Sequence, residues 1–279
     1  MNDEEIKKLH KYLLDILEEF KRVCEKYNLK YFAIAGSLLG CIRHNGFIPW
    51  DDDLDIGMPI DDYLKFKEIA NKELKSPFRF IDTLDRTISR NYFSKIENEN
   101  TTFIEMDDKE FKKGIWIDII PFSGTPKNKI VLYCYLKKLF LYLKLDQYLN
   151  KDINKFKSSK SRFLKRVLTI VYYNKEKNYY IKRFEKLLEK YSFYNSDTIF
   201  YAWKLKFSHK ITKKYTLFDA SIFSEVENHI FENTEISIPK GYDSYLKTCY
   251  NDYMKIPSKE KRKIHTPYLL DFEKSYKDY

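Results

Sequence analysis

The chain has no apolar run approaching the roughly 18 to 20 residues that cross a bilayer, so an integral helical membrane protein is not expected. Its first residues, Met1-Asn2-Asp3-Glu4-Glu5, are acidic and polar and do not read as a secretory leader. Cysteine is scarce: four residues, at 24, 41, 134 and 249, with no CxxC pair and no zinc-ligand spacing to the five histidines. Free thiols in a reducing cytoplasm are the expectation. Asn100-Thr101-Thr102 matches a glycosylation sequon, but nothing points to secretion and it is discounted. Internal repeats, low-complexity linkers and RNA-binding or helix-turn-helix signatures are all missing, so nucleic acid is not an expected partner. The 279 residues suffice for one large domain or two modest ones. At 43% hydrophobic and 33% charged, the composition is that of a globular protein. The net charge of +10 suits a polyanionic or phosphorylated partner, or an anionic membrane surface.

One stretch organises the rest. Ala35-Gly36-Ser37-Leu38-Leu39-Gly40 is followed by Gly46-Phe47-Ile48-Pro49-Trp50-Asp51-Asp52-Asp53-Leu54-Asp55-Ile56-Gly57. Four carboxylates fall within five positions. On a strand over 51–57 with Leu54 and Ile56 turned to a core, Asp51, Asp53 and Asp55 share the other face. Carboxylates so close repel one another unless a cation sits among them, and a hard divalent ion, Mg²⁺ or Mn²⁺, is the natural occupant. A solvated acidic loop is the plain alternative, but such a loop needs neither Pro49-Trp50 before it nor the apolar alternation within it.

In chain order, 3–27 read as an amphipathic helix stopped at Asn28. Residues 31–35 read as a short strand, and Gly36-Ser37 as a turn into a helix over 38–44, with Ser37 capping it or touching phosphate. Arg43, beside His44, either neutralises carboxylates or grips phosphate with its planar fork. Pro59 ends the acidic strand and Asp61 caps a helix over 62–75. Residues 78–82 form a strand; 92–97 and 101–105 read as a strand pair turning at 98–100. Lys95, alone in an apolar alternation, is either a donor-phosphate ligand or a solvent-facing strand residue. Asp118 lies mid-strand in Gly114-Ile115-Trp116-Ile117-Asp118-Ile119-Ile120-Pro121, where a lone charge needs a partner or a cation. Residues 125–195 read as helices rich in Lys and aromatics, packed together or resting on a membrane surface. The last third reads as strands and loops, including 200–203, 211, 215–218, 236–243 and 245–254, with Arg262 and His265 either folding back towards a phosphate site or standing as ordinary surface charge.

These blocks resemble the LicD family: Gly36-Ser37-Leu38-Leu39-Gly40, the run from Arg43 through Trp50-Asp51-Asp52-Asp53-Leu54-Asp55 to Met58, Gly114 to Pro121, and Ile238-Pro239 to Tyr242 with Tyr250-Asn251-Asp252-Tyr253-Met254. They run in family order over about residues 30 to 265. Two departures are mild: Ser37 stands for a frequent Thr, and Asn251 for a Gly, asparagine also tolerating a left-handed backbone. The resemblance implies an α/β (α+β) nucleotidyltransferase-like fold, a mixed sheet flanked by helices with an additional helical lobe. The expected division is a catalytic core over 1–124, a helical lobe over 125–195 and a completing C-terminal part over 196–279. It further implies a phosphotransferase that moves a phospho-alcohol, best phosphocholine from CDP-choline, onto a sugar hydroxyl of a cell-surface glycan or its lipid-linked precursor, releasing CMP. Fukutin-type ribitol-phosphate transferases share the motifs. On this reading Asp53, Asp55 and Asp118 hold Mg²⁺ or Mn²⁺ and Asp118 takes the hydroxyl proton, while Gly36, Ser37, Arg43, His44, Asp51 and Lys95 face the donor. The expected location is cytoplasmic, with peripheral contact at the inner membrane face. Two rivals stand beside it: attachment of AMP or CMP to an acceptor on the same fold, and a non-catalytic glycan-binding relative.

Overall fold

A computed structural model describes residues 1–85, 92–106, 109, 111–150, 158–171, 178–201, 217–258, 260, 262 and 267–279. Helix α1 (Asp3–Lys26) opens with a capping box, the Asn2 side chain accepting from the Glu5 amide while the Glu5 carboxylate accepts from the Asn2 amide. Its stripe from Ile6 to Cys24 is buried, and Asn28, at φ +50°, turns the chain away. Strand β1 (Phe32–Ala33) is shorter than expected because Ala35 already starts α2 (Ala35–His44). Strand β2 (Asp55–Pro59) then leads into α3 (Ile60–Glu73). The acidic run is thus mostly the approach to a strand, since the backbone turns at Ile48–Asp51 before pairing begins. Asp61 does not cap α3; it sits in the first turn and accepts from the Phe193 amide at 2.9 Å.

Strands β3 (Phe78–Ile81), β4 (Ser94–Asn98), β5 (Thr102–Glu105) and β6 (Ile115–Gly124) follow. Three helices come next, α4 (Lys129–Asn150), α5 (Ser159–Val171) and α6 (Tyr179–Leu188). The remainder holds β7 (Thr198–Tyr201), β8 (Leu217–Asp219), β9 (Val226–Phe231), β10 (Thr234–Pro239), α7 (Tyr242–Tyr250) and β11 (Pro267–Asp271). Residues 245–250, read as strand-like, are helical: Tyr245 and Leu246 face inward on one side of α7. Asn251 ends that helix at φ +59°, the conformation a glycine would supply. Residues 172–173, 202–203, 211, 215–216 and His265 lie outside the described residues.

The main sheet is mixed, as expected, with order β1-β2-β6-β4-β3, and β7 pairs β6 and β8. The ten-residue β6 is its axis: β2 runs parallel along it, β4 antiparallel along its first half, and β7 antiparallel at its end. All of β2 and nearly all of β6 are buried, which explains their almost unbroken apolar sequence. β4 and β5 do not pair with each other; β4 lies between β6 and β3, while β5 pairs with β11. Helix α1 packs over β4 and β6, and the β9–β10 hairpin stands against β1 and α2.

Candidate active site

The site grows from the β1–α2 junction. Ala35 holds φ +47°, a left-handed conformation unfavourable for a residue with a Cβ, and its amide donates to the buried Tyr245 hydroxyl at 3.2 Å. One residue on, a Cβ at Gly36 would stand 2.5 Å from Asp51 Oδ2, so glycine is what lets that carboxylate approach the start of α2. Ser37 does not cap the helix; its Oγ accepts from the Asp55 amide at 2.7 Å. The first turn of α2, the positive end of its dipole, is thereby fastened to the acidic run.

Pairing in the sheet does the rest. Asp55 is directly opposite Asp118, and Asp118 directly opposite Lys95, so the three make one row across β2, β6 and β4. Lys95 is not solvent-facing: it is 1% exposed and its ammonium bonds Asp118 Oδ1. It also lies 4.5 Å from the centre of the Trp116 ring. Asp55 is 2% exposed, and its Oδ1 is buried without a hydrogen-bond partner. Burial, then the charges of Asp53, Asp118 and Asp51, push its carboxyl well above the usual carboxylate range; Lys95 opposes them.

Above this row lies a cleft of about 510 Å³, lined by Gly36, Arg43, Asp51, Asp52, Asp53 and Asp55 and by residues from the end of the chain. Arg43 donates from Nη1 to the Tyr253 carbonyl at 2.9 Å and from Nε to His44 Nε2 at 2.9 Å. His44 is therefore turned to Arg43 rather than to the cleft, and burial and then Arg43 hold its pKa below the ordinary value. Arg262 does fold back: it lines the cleft with its guanidinium 3.8 Å from the Trp50 ring centre. The structure thus gathers Gly36, Arg43, Asp51, Asp53 and Asp55 on the cleft, puts Ser37 beneath it, and joins Asp118 and Lys95 to it through Asp55.

Four contributors were not marked as site residues. Tyr250 and Tyr253 line the cleft, brought there by α7 and Asn251. His10 on α1 stacks on Phe47 at 4.0 Å, and its Nε2 donates to the Asp51 carbonyl at 2.8 Å. Glu232, between β9 and β10, accepts from the Phe47 amide at 2.9 Å. Only the family-like tail carried a signal for the tyrosines; a single histidine in a helical stripe carries none.

The donor set is all oxygen, as a hard cation requires. Among the described residues no three Asp, Glu, His or Cys side chains form a ready metal cage. Magnesium is commonly held by one or two carboxylates plus phosphate oxygens, so the orphaned oxygen of Asp55, with Asp53 beside it, fits such an ion.

Residues 28–138 match the family model described as LicD/FKTN/FKRP, nucleotidyltransferase domain. That span includes Asp51, Asp52, Asp53, Asp55, Asp118 and Lys95. Over 267 residues, 90% of this chain and 92% of the relative, the sequence is 29% identical to the lipopolysaccharide cholinephosphotransferase LicD of Haemophilus influenzae. An uncharacterised protein of Rickettsia prowazekii is 36% identical over 134 residues, 46% of this chain and 47% of its own. The human ribitol 5-phosphate transferase FKRP is 37% identical over 54 residues, 19% of this chain and 11% of its own.

Proposed function

We propose, from the match of residues 28–138 to the LicD-family nucleotidyltransferase domain, that this protein is a transferase that moves a phospho-alcohol, best phosphocholine, from a CDP-linked donor to a sugar hydroxyl of a glycan or its lipid-linked precursor. The observation that carries the reading is the buried row Asp55–Asp118–Lys95 under a cleft whose rim is carboxylate, arginine and tyrosine. The similarity to a lipopolysaccharide cholinephosphotransferase over nine-tenths of the chain supports the phosphocholine assignment. So does the presence of Trp50, Tyr250 and Tyr253 in the cleft, because aromatic faces suit a quaternary ammonium.

In the proposed reaction the sugar oxygen forms a bond to the phospho-alcohol phosphorus as the bond from that phosphorus to CMP breaks. Asp53 and Asp55 would hold the divalent cation, which when bound would supply positive charge at the donor phosphates. Asp118, oriented by Lys95, receives the hydroxyl proton. Arg43 and Arg262 grip phosphate oxygens from the rim. Catalysis is then mostly positioning and electrostatics.

Calorimetric titration with CDP-choline, CDP-ethanolamine, CDP-glycerol and CDP-ribitol, with and without Mg²⁺, tests this. Mg²⁺-dependent binding of CDP-choline, lost in Asp53→Asn, is the expected result. Failure of all four donors with tight binding of ATP or CTP, and nucleotide found on the acceptor, would replace it with nucleotide transfer.

A further inference from the structure

Helix α5 (SKSRFLKRVLTIV) contains no acidic residue, and none of its described side chains is buried. At 100° per residue, Phe163, Val167 and Ile170 form one stripe with Leu164 beside it, while Ser161, Arg162, Lys165 and Arg166 take the other side. The stripe is bare: Phe163 is 69% exposed and Ile170 76%. The bonds that tie α5 to α4 leave from the polar side, where the Ser161 carbonyl accepts from the Tyr148 hydroxyl at 2.5 Å and the Lys165 ammonium donates to the Leu149 carbonyl. The apolar stripe is thus turned away from α4, which exposes Ile130 and Leu141 of its own.

Charge identifies what would cover such a stripe. Residues 151–177 carry nine Lys or Arg against two Asp or Glu, a net +7 in a tenth of a chain whose total is +10. An apolar stripe on a helix flanked by basic side chains is the arrangement that settles in the headgroup layer of a bilayer, drawn there by anionic lipid and held by inserted apolar groups. No helix among the described residues is long and apolar enough to span a membrane, so the contact is peripheral.

We propose that α5 docks this protein on an anionic bilayer, with Phe163, Leu164, Val167 and Ile170 inserted and Arg162 and Arg166 on lipid phosphates. The inference needs no donor and stands apart from the reaction assigned above.

The test is flotation of the full chain with vesicles of phosphatidylcholine plus phosphatidylglycerol, beside vesicles of phosphatidylcholine alone, at low and high salt. Wild type should float with the anionic vesicles and lose that at high salt. The doubles Phe163→Ser/Ile170→Ser and Arg162→Gln/Arg166→Gln should each weaken partition by at least about tenfold. All four side chains are exposed, so both variants should keep the wild-type far-UV spectrum. The proposal is overturned if wild type stays unbound, if Phe163→Ser/Ile170→Ser floats as wild type does, if polyglutamate competes as well as the anionic vesicles do, or if sedimentation shows a dimer that this variant abolishes.

Discussion

Lys95 is 1% exposed, and among the described residues the carboxylate its ammonium bonds is that of Asp118. Removing one partner of a buried pair strands the other, at a cost of about 3–5 kcal/mol. Lys95→Met should therefore lower stability by that order in urea denaturation. The double variant with Asp118→Asn should recover part of the loss, as the coupling in a double-mutant cycle. A solvent-facing lysine would show neither effect. His10 gives a pH dependence. Burial lowers its pKa from the ordinary histidine value, the Asp51 carbonyl opposing. The unfolded chain then binds its proton more readily than the folded one, so His10 contributes stability above the ordinary histidine pKa and loses it as pH falls below. The denaturation midpoint should drop from about pH 8 to about pH 5 by more in wild type than in His10→Gln. Equal drops would mean that His10 is not the group responsible.

Among the elements, those read well from the sequence are the ones whose partners are built into their own pattern. Helix α1 carries its capping box and its stripe, and β6 its unbroken apolar run. The elements misread are those fixed by residues far along the chain. β5 pairs with β11 rather than with its neighbour β4. Ala35 takes its left-handed backbone beside Tyr245, 210 positions away. Ser37 looks like a cap, and becomes a link to β2 only because Asp55 stands beside it in space. The carboxylates of the site were legible because Asp53 and Asp55 lie in one short run, and Asp118 because it interrupts an apolar strand. Lys95 was ambiguous because the charge that explains it lies 23 positions away. The start of α2 offers its own prediction. Gly36→Ala puts a methyl where Asp51 Oδ2 now lies, 2.5 Å from the ideal Cβ. A side chain can swing aside, so stability should fall by less than about 1.5 kcal/mol. Donor affinity by calorimetry should fall much further, and a variant with unchanged affinity would remove Asp51 from the site.

For the whole molecule, the concentration of like charge at one end of β2 sets a balance between folding and ion binding. A ligand that binds the native state alone stabilises it by mass action, about 2.7 kcal/mol at a hundredfold excess over its dissociation constant. Thermal unfolding should therefore shift upward with Mg²⁺ and return on chelation with EDTA. Asp55→Asn should raise the midpoint in EDTA, by removing an acid packed against Asp53, Asp118 and Asp51 whose Oδ1 is buried without a hydrogen-bond partner, and abolish the response to Mg²⁺. A response that survives in Asp55→Asn places the ion elsewhere.

The pairing of β5 with β11 also has a consequence for biosynthesis. Residues 267–279 are made more than 160 residues after β5, yet Leu270 pairs with Phe103, Tyr12 of the first helix donates to the Phe272 carbonyl, and the Tyr276 hydroxyl donates to the Glu97 carboxylate. While those residues are still inside the ribosome, β5 has no partner strand and Glu97 lacks one of its donors. This side of the molecule must wait for those late residues to emerge before it can close, which leaves β5 in the care of whatever shields nascent chains.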